Sequence, residues 1–182
     1  VVKVILDCEF FHDLQSNDLQ ERKYLSPSCI ISASALRIDL NRKDNDGNTA
    51  FHLACQTGKG DVVKFLIDSA PYLRINLDIK NNNGMTAFHS ACHRGQLNVV
   101  KLFLEYPSPL WWIGIDLNAI DKNGNTAFHL ACDTPFHLAC QRDKSDVVKI
   151  FLEKAVSLKI DLNMKNNNGM TAFHLALYRH LL

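Results

Sequence analysis

Four pairs of side chains in this sequence have the types and the spacing for chemistry: His52 with Cys55, His89 with Cys92, His129 with Cys132, and His137 with Cys140. Each pair stands three residues apart, which on a helix puts both side chains on one face. An imidazole beside a thiol is half of a tetrahedral zinc site. It is also the pairing that generates a thiolate for nucleophilic attack. That second use needs a thiol pKa depressed by a cation or a helix N-terminus, and nothing near these cysteines supplies one. No P-loop, dinucleotide fingerprint, His-Glu-x-x-His or nucleophile elbow is present. The carboxylates are scattered among turns and helix ends, where Asp61 and Asp146 read as caps. The residues describe a non-enzyme with no cofactor.

What positions the pairs is a repeat. Asn48-Thr49-Ala50-Phe51-His52-Leu53-Ala54-Cys55 comes back from Met85, from Asn125 and from Met170, with Gly47, Gly84, Gly124 and Gly169 standing before the copies. Thr49, Thr86, Thr126 and Thr171 lie 37, 40 and 45 residues apart. A second landmark, Val-Val-Lys, begins at Val62, Val99 and Val147. It follows the Thr by 13 residues twice, and by 21 in the third unit. One supersecondary unit has been copied, and its insertions collect in loops, as in a stacked array.

Each unit reads the same way. Leu36-Arg37-Ile38-Asp39-Leu40-Asn41 alternates apolar and polar residues and suggests an extended arm. Asn-Asp-Gly or Asn-Asn-Gly then turns the chain, since Gly and Asn tolerate positive φ. Thr49 caps a short apolar helix that Gly58 can end. Asp61 opens a second helix, with Val62, Val63, Phe65, Leu66 and Ile67 as its apolar stripe. The spacing predicts helix pairs near 49–57 and 61–69 and near 86–94 and 98–105, then helices at 146–155 and from about 171. Such helices are too short to stand alone, so stacking must stabilise them.

The combination Gly-x-Thr-Ala-Phe-His-Leu-Ala-Cys, Gly, Val-Val-Lys and Asp-Leu-Asn resembles the ankyrin repeat, whose usual pattern is Gly-x-Thr-Pro-Leu-His-x-Ala. The likeness covers about residues 36–182, with 1–6 as the tail of a preceding repeat. The departures are Ala for Pro, Phe for Leu, Cys for the second Ala, and long units. The resemblance implies an all-α solenoid of stacked helix-turn-helix units with short β-finger loops. Residues 7–35 show no landmark and read as a partly ordered insertion, with a short helix near 12–23. The chain reads as an excerpt of a longer array.

The third unit contains an eight-residue tandem duplication: Phe128-His129-Leu130-Ala131-Cys132-Asp133-Thr134-Pro135 is followed by Phe136-His137-Leu138-Ala139-Cys140. The second copy lies 13 residues before Val147 and carries Pro135, which suits a first helical turn. On that spacing Thr134–Cys140 is expected to fill the helix slot, with 126–133 pushed out. Deleting 126–133 would then leave stability unchanged or raised.

Within stacked units the His–Cys pairs cannot share a zinc ion. Neighbouring units lie about 10 Å apart, against zinc–ligand distances of about 2 Å. The expected roles are a His that braces the finger turn and a Cys that packs inward, with no metal. Asn41, Asn118 and Asn163 occupy the family's Asp-x-Asn position, as turn-stabilising residues or as substrates of an asparaginyl hydroxylase. The second unit has Asp78 there instead.

Composition excludes several classes. Twenty basic against nineteen acidic residues give a net charge of +1, so nothing pulls the chain toward nucleic acid or an anionic membrane. No apolar run approaches the roughly 18 residues of a membrane span. Six Cys without sequons suggest an intracellular, cytoplasmic protein. The resemblance implies a monomeric module that binds a partner protein on its concave face, through finger tips and first helices. The candidate residues at the tips are Asn45, Asp46, Asn82, Asn83, Lys122, Asn123, Asn167 and Asn168. On the first helices they are Gln56, Thr57, His93, Arg94, Gln141 and Arg142. Trp111 and Trp112 are either a core cover or an aromatic anchor. The alternatives are an autoinhibitory or structural array within a larger channel or enzyme and, remotely, a zinc-binding domain.

Overall fold

The computed structural model describes residues 39–106, 114–133 and 141–180. The expected tail at 1–6, the insertion at 7–35, Trp111, Trp112 and Thr134–Cys140 lie outside the described residues. The helices are α1 (Ala50–Gln56), α2 (Gly60–Leu73), α3 (Ala87–Arg94), α4 (Leu97–Leu104), α5 (Ala127–Cys132), α6 (Gln141–Lys154) and α7 (Ala172–His180). Helices α1, α3, α5 and α7 stack side by side in one layer, and α2, α4 and α6 in a second. Among the described residues no strand forms, and one isolated antiparallel bridge joins Ile120 to Thr126. The chain is an all-α repeat solenoid, as its periodicity requires.

The caps start and stop these helices. Thr49, Thr86 and Thr126 hold extended backbone immediately before α1, α3 and α5. Gly95 ends α3 in the left-handed region at φ +68°, where an L side chain would be strained. Two cap assignments need correction. Lys59, not Asp61, precedes α2, and Asp61 falls in its first turn, where its charge favours the helix N-terminus. Asp146 lies inside α6 and pairs with Lys149 at 2.9 Å. The reason is local: units one and two break the chain at Gly58 and Gly95, whereas no Gly occurs between Cys140 and Val147. The helix therefore runs back to Gln141.

Phenylalanine joins the layers. Phe103 of α4 lies 6.0 Å from Phe51 and 4.9 Å from Phe88, ring centre to ring centre. Phe151 of α6 lies 5.7 Å from Phe88 and 5.2 Å from Phe128. Each second-layer ring thus sits between two first-layer rings and ties a unit to its predecessor. Such pairs contribute about 0.5–1.5 kcal/mol each beyond their buried area. Cys55, Cys92 and Cys132 are buried beside them as small apolar groups.

The third unit overturns the spacing argument. The first copy fills the slot: Ala127–Cys132 is the helix, it is buried throughout, and it packs on α3 and α7. The ruler that matters runs from the finger turn to the cap, not from the cap to Val-Val-Lys. In every unit the capping Thr follows the turn Gly by two residues. Thr126 satisfies that link to Gly124, and Thr134 stands ten residues away from it. The surplus residues fall in the sequence between α5 and α6. Deleting 126–133 also fails as a test of the copies. It joins Asn125 to Thr134 and rebuilds the same slot with Pro in place of Ala.

Candidate functional site

The repeated His is a brace at both ring nitrogens. His52 Nδ1 lies 3.2 Å from the Thr49 backbone N and 3.0 Å from its Oγ1. Nδ1 accepts the Thr49 N–H, so the ring proton sits on Nε2, which donates to Met85 O of the next unit at 3.1 Å. His89 repeats this with Thr86 and with Asn125 O at 3.1 Å. His129 repeats it with Thr126 and with Met170 O, again at 3.1 Å. Burial lowers the pKa of all three, against the backbone carbonyls that raise it. With both nitrogens engaged, these rings are joints between units rather than metal ligands. Burial pushes the Cys132 thiol up to about 12 and the Cys55 thiol further still, so neither is a nucleophile.

The finger tips are built by a residue whose role the turn-former reading passed over. Asp44 Oδ1 accepts the N–H groups of Asp46 and Asn48 at 3.0 and 2.8 Å. Asn81, Asp121 and Asn166 do the same in their units. The signal was available in the sequence: an Asp or Asn stands three residues before each turn Gly. Adjacent tips then bond through the backbone. Asn82 N donates to Asp46 O at 3.0 Å, Lys122 N to Asn83 O at 3.1 Å, and Asn167 N to Asn123 O at 2.9 Å.

The tips and the C-terminal ends of the first helices enclose a polar groove. Between the first and second units it is lined by Asp46, Gln56, Asn83, Ser90, His93 and Arg94, among others. Of the candidate binding residues, Asn45, Asp46, Thr57, Asn82, Asn83, His93, Arg94, Lys122, Asn123, Asn167 and Asn168 are exposed, and Gln56 is half-buried. Two of them are partly spent on stacking. Asn82 Nδ2 donates to Asn45 O at 2.9 Å, and Asn167 Nδ2 to Lys122 O at 3.0 Å. The side chains of Asn83, Asn123 and Asn168 make no hydrogen bond among the described residues. Gln141 and Arg142 are not on a first helix as expected. They open α6 in the second layer, because the first copy of the duplication fills the slot. Asp133 takes the place that Gln56 and His93 hold in their units.

Short helix pairs in two layers, tied by one His per unit and by bonded finger tips, define a helical repeat array. The chain belongs to the ankyrin-repeat family. Its sequence matches the family described as ankyrin repeats in three copies, over residues 24–110, 71–134 and 132–181. No curated protein sequence matches the chain. Ankyrin repeats are in general protein-interaction modules and are typically non-catalytic. No helix among the described residues is long and apolar enough to cross a membrane.

Proposed function

We propose that this chain binds a partner protein in the groove between its first two finger tips and the ends of α1 and α3, with Arg94 as the anchor. The observation that supports this best is Arg94 itself. It is the last residue of α3, it is exposed, and it belongs to neither of the two ion pairs among the described residues. A guanidinium presents a planar fork of donors that matches a carboxylate, so the partner carries an acidic side chain at this point. The exposed carboxamide of Asn83 beside it offers donors and an acceptor to the partner's backbone. The unit has a neighbour on each side, which puts Arg94 near the middle of the face, where interface energy concentrates. The buried thiols of Cys55 and Cys132, in no disulfide, support a reducing, intracellular setting for this monomeric module.

The test begins with capture by the full-length protein and identification of the partner by mass spectrometry. Calorimetry on that partner then compares the wild type with Arg94→Ala. Affinity should fall by about 2 kcal/mol, roughly 30-fold, with the thermal melt unchanged. An unchanged affinity, or a melt that collapses with it, refutes the anchor and turns attention to Trp111-Trp112 or residues 7–34.

A further inference from the structure

The three junctions between the four units are not built alike. Three carboxamides of the arms and finger tips bond across the junction between the first unit and the second. Asn41 donates Nδ2 to Arg74 O at 3.0 Å and accepts the Asn76 N–H at 2.8 Å. Asn81 Nδ2 donates to Asn48 Oδ1, and Asn82 Nδ2 to Asn45 O, both at 2.9 Å. The third-to-fourth junction repeats the set. Asn118 bonds Lys159 O at 3.0 Å and Asp161 N at 2.9 Å. Asn166 bonds Asn125 at 2.9 Å, and Asn167 bonds Lys122 O at 3.0 Å.

At the second-to-third junction all three positions change. Asp78 replaces the Asn of the arm, Met85 and Asp121 hold the places of Asn48 and Asn81, and Lys122 replaces the tip Asn. Among the described residues three hydrogen bonds still cross there: Lys122 N to Asn83 O, His89 Nε2 to Asn125 O, and Lys80 Nζ to Ile120 O. Asp78 is more than a missing donor. Its Oδ1 is buried and has no partner. Gly114 holds the place of Arg74 and Lys159, and all three have positive φ, at 79°, 53° and 53°. In the other two junctions the carbonyl at this place receives the Asn N–H. An ionised Asp has no hydrogen to offer it.

We propose that the second-to-third junction is the hinge of the array and that Asp78 is its proton-operated latch. With Asp78 ionised, the arm keeps the Asp116 N–H but lacks the donor half of the bond, and the junction bends or opens first. With Asp78 protonated, its hydroxyl supplies the hydrogen that Asn41 and Asn118 supply elsewhere, and the junction closes. Burial holds the Asp78 carboxyl above the usual carboxylate range. The charged groups that face it are Asp116, which adds to the rise, and Lys80, which opposes it together with the Asp116 N–H. The hinge goes beyond the binding groove, which lies between the first and second units. Its motion would swing the Lys122-Asn123 tip against Asn83 at the groove's edge.

Two variants of the full chain test this, with thermal melts at pH 7 and near pH 4 and with amide exchange. Asp78→Asn restores the arm donor and removes the buried charge. It should melt about 3 °C above the wild type at pH 7. The gap should shrink near pH 4, because the penalty on a raised carboxyl is present above its folded pKa and absent below its unfolded one. Asn118→Asp should install the same pH-dependent weakness at the third-to-fourth junction. In the wild type at pH 7 the Lys122 amide should exchange about tenfold faster than its counterparts Asn82 and Asn167. Asp78→Asn should slow it, and Asn118→Asp should speed Asn167. A gap that is absent, or equally large at both pH values, overturns the latch. Equal exchange at Lys122, Asn82 and Asn167 overturns the hinge. If Asp78→Asn does not fold, the Asn118→Asp results decide the latch by the same criteria.

Discussion

Replacing His89 and His174 by Ala removes the same residue from the same motif, and the two changes should cost different amounts. Both rings accept the N–H of the Thr three residues before, at 3.3 Å in Thr86 and 3.1 Å in Thr171. His89 is buried and also donates to Asn125 O across the junction at 3.1 Å. His174 is exposed and makes no such bond among the described residues. Loss of the cap costs about 1 kcal/mol at either site. At His89 the Nε2 bond to Asn125 O is lost as well, although that carbonyl keeps the Asp121 N–H at 2.9 Å, which adds about 0.5–1.5 kcal/mol. His89→Ala should therefore cost roughly 1.5–2.5 kcal/mol and His174→Ala roughly 1 kcal/mol. In a chain of this size that is a melting shift of about 5–8 °C against about 3 °C. Urea and thermal unfolding of the two variants read the difference directly. Equal losses would show that the His stabilises only its own helix cap and that the bond between units contributes nothing.

Two further outcomes follow from the same geometry. His52, His89 and His129 are held neutral, with folded pKa values below the unfolded value near 6.5. Their contribution to stability is full above that value and is lost as pH falls below it, by up to about 1.4 kcal/mol per pH unit for each ring. The melting temperature should therefore fall between pH 7.5 and pH 5.5, and a flat profile would contradict the neutral brace. Phe128 is buried against Phe151 and Phe173, so Phe128→Ala should cost about 3–5 kcal/mol, whereas Phe136→Ala should cost much less because the slot is already filled. A larger loss at Phe136 would restore the second copy to the slot.

The fold was legible because the units constrain one another. A capping Thr two residues after a turn Gly, an apolar run, a Gly break and a Val-Val-Lys stripe agree at every scale, and agreement across levels is what specifies a structure. The predicted helices fall within a few residues of α1 to α4 and α7. The misreadings at Asp61 and Asp146 are local. They arise where a helix start depends on whether Gly interrupts the chain rather than on the nearest good capping residue. The third unit failed for a related reason. A sequence interval says which residues are far apart along the chain but not which end of the interval is rigid. The finger turn, with its Asp121 carboxylate bonded to two N–H groups, fixes where the capping Thr falls.

The site was less legible, because an exposed polar residue looks the same whether it binds a partner or a neighbouring unit. Asn82 and Asn167 read as specificity residues, yet both donate to a carbonyl of the preceding tip. Only contact between units assigns them that work, and such contacts span 37 and 45 residues of sequence. The same contacts expose the one junction that departs from its neighbours. In the sequence, Asp for Asn at position 78 looks like a conservative exchange. In the array it replaces a group that donates and accepts by one that, when ionised, only accepts, at the position where Asn41 and Asn118 donate to a backbone carbonyl of the next unit. Protonation would give Asp78 the hydrogen that its ionised form lacks, and on that difference the proposed latch rests.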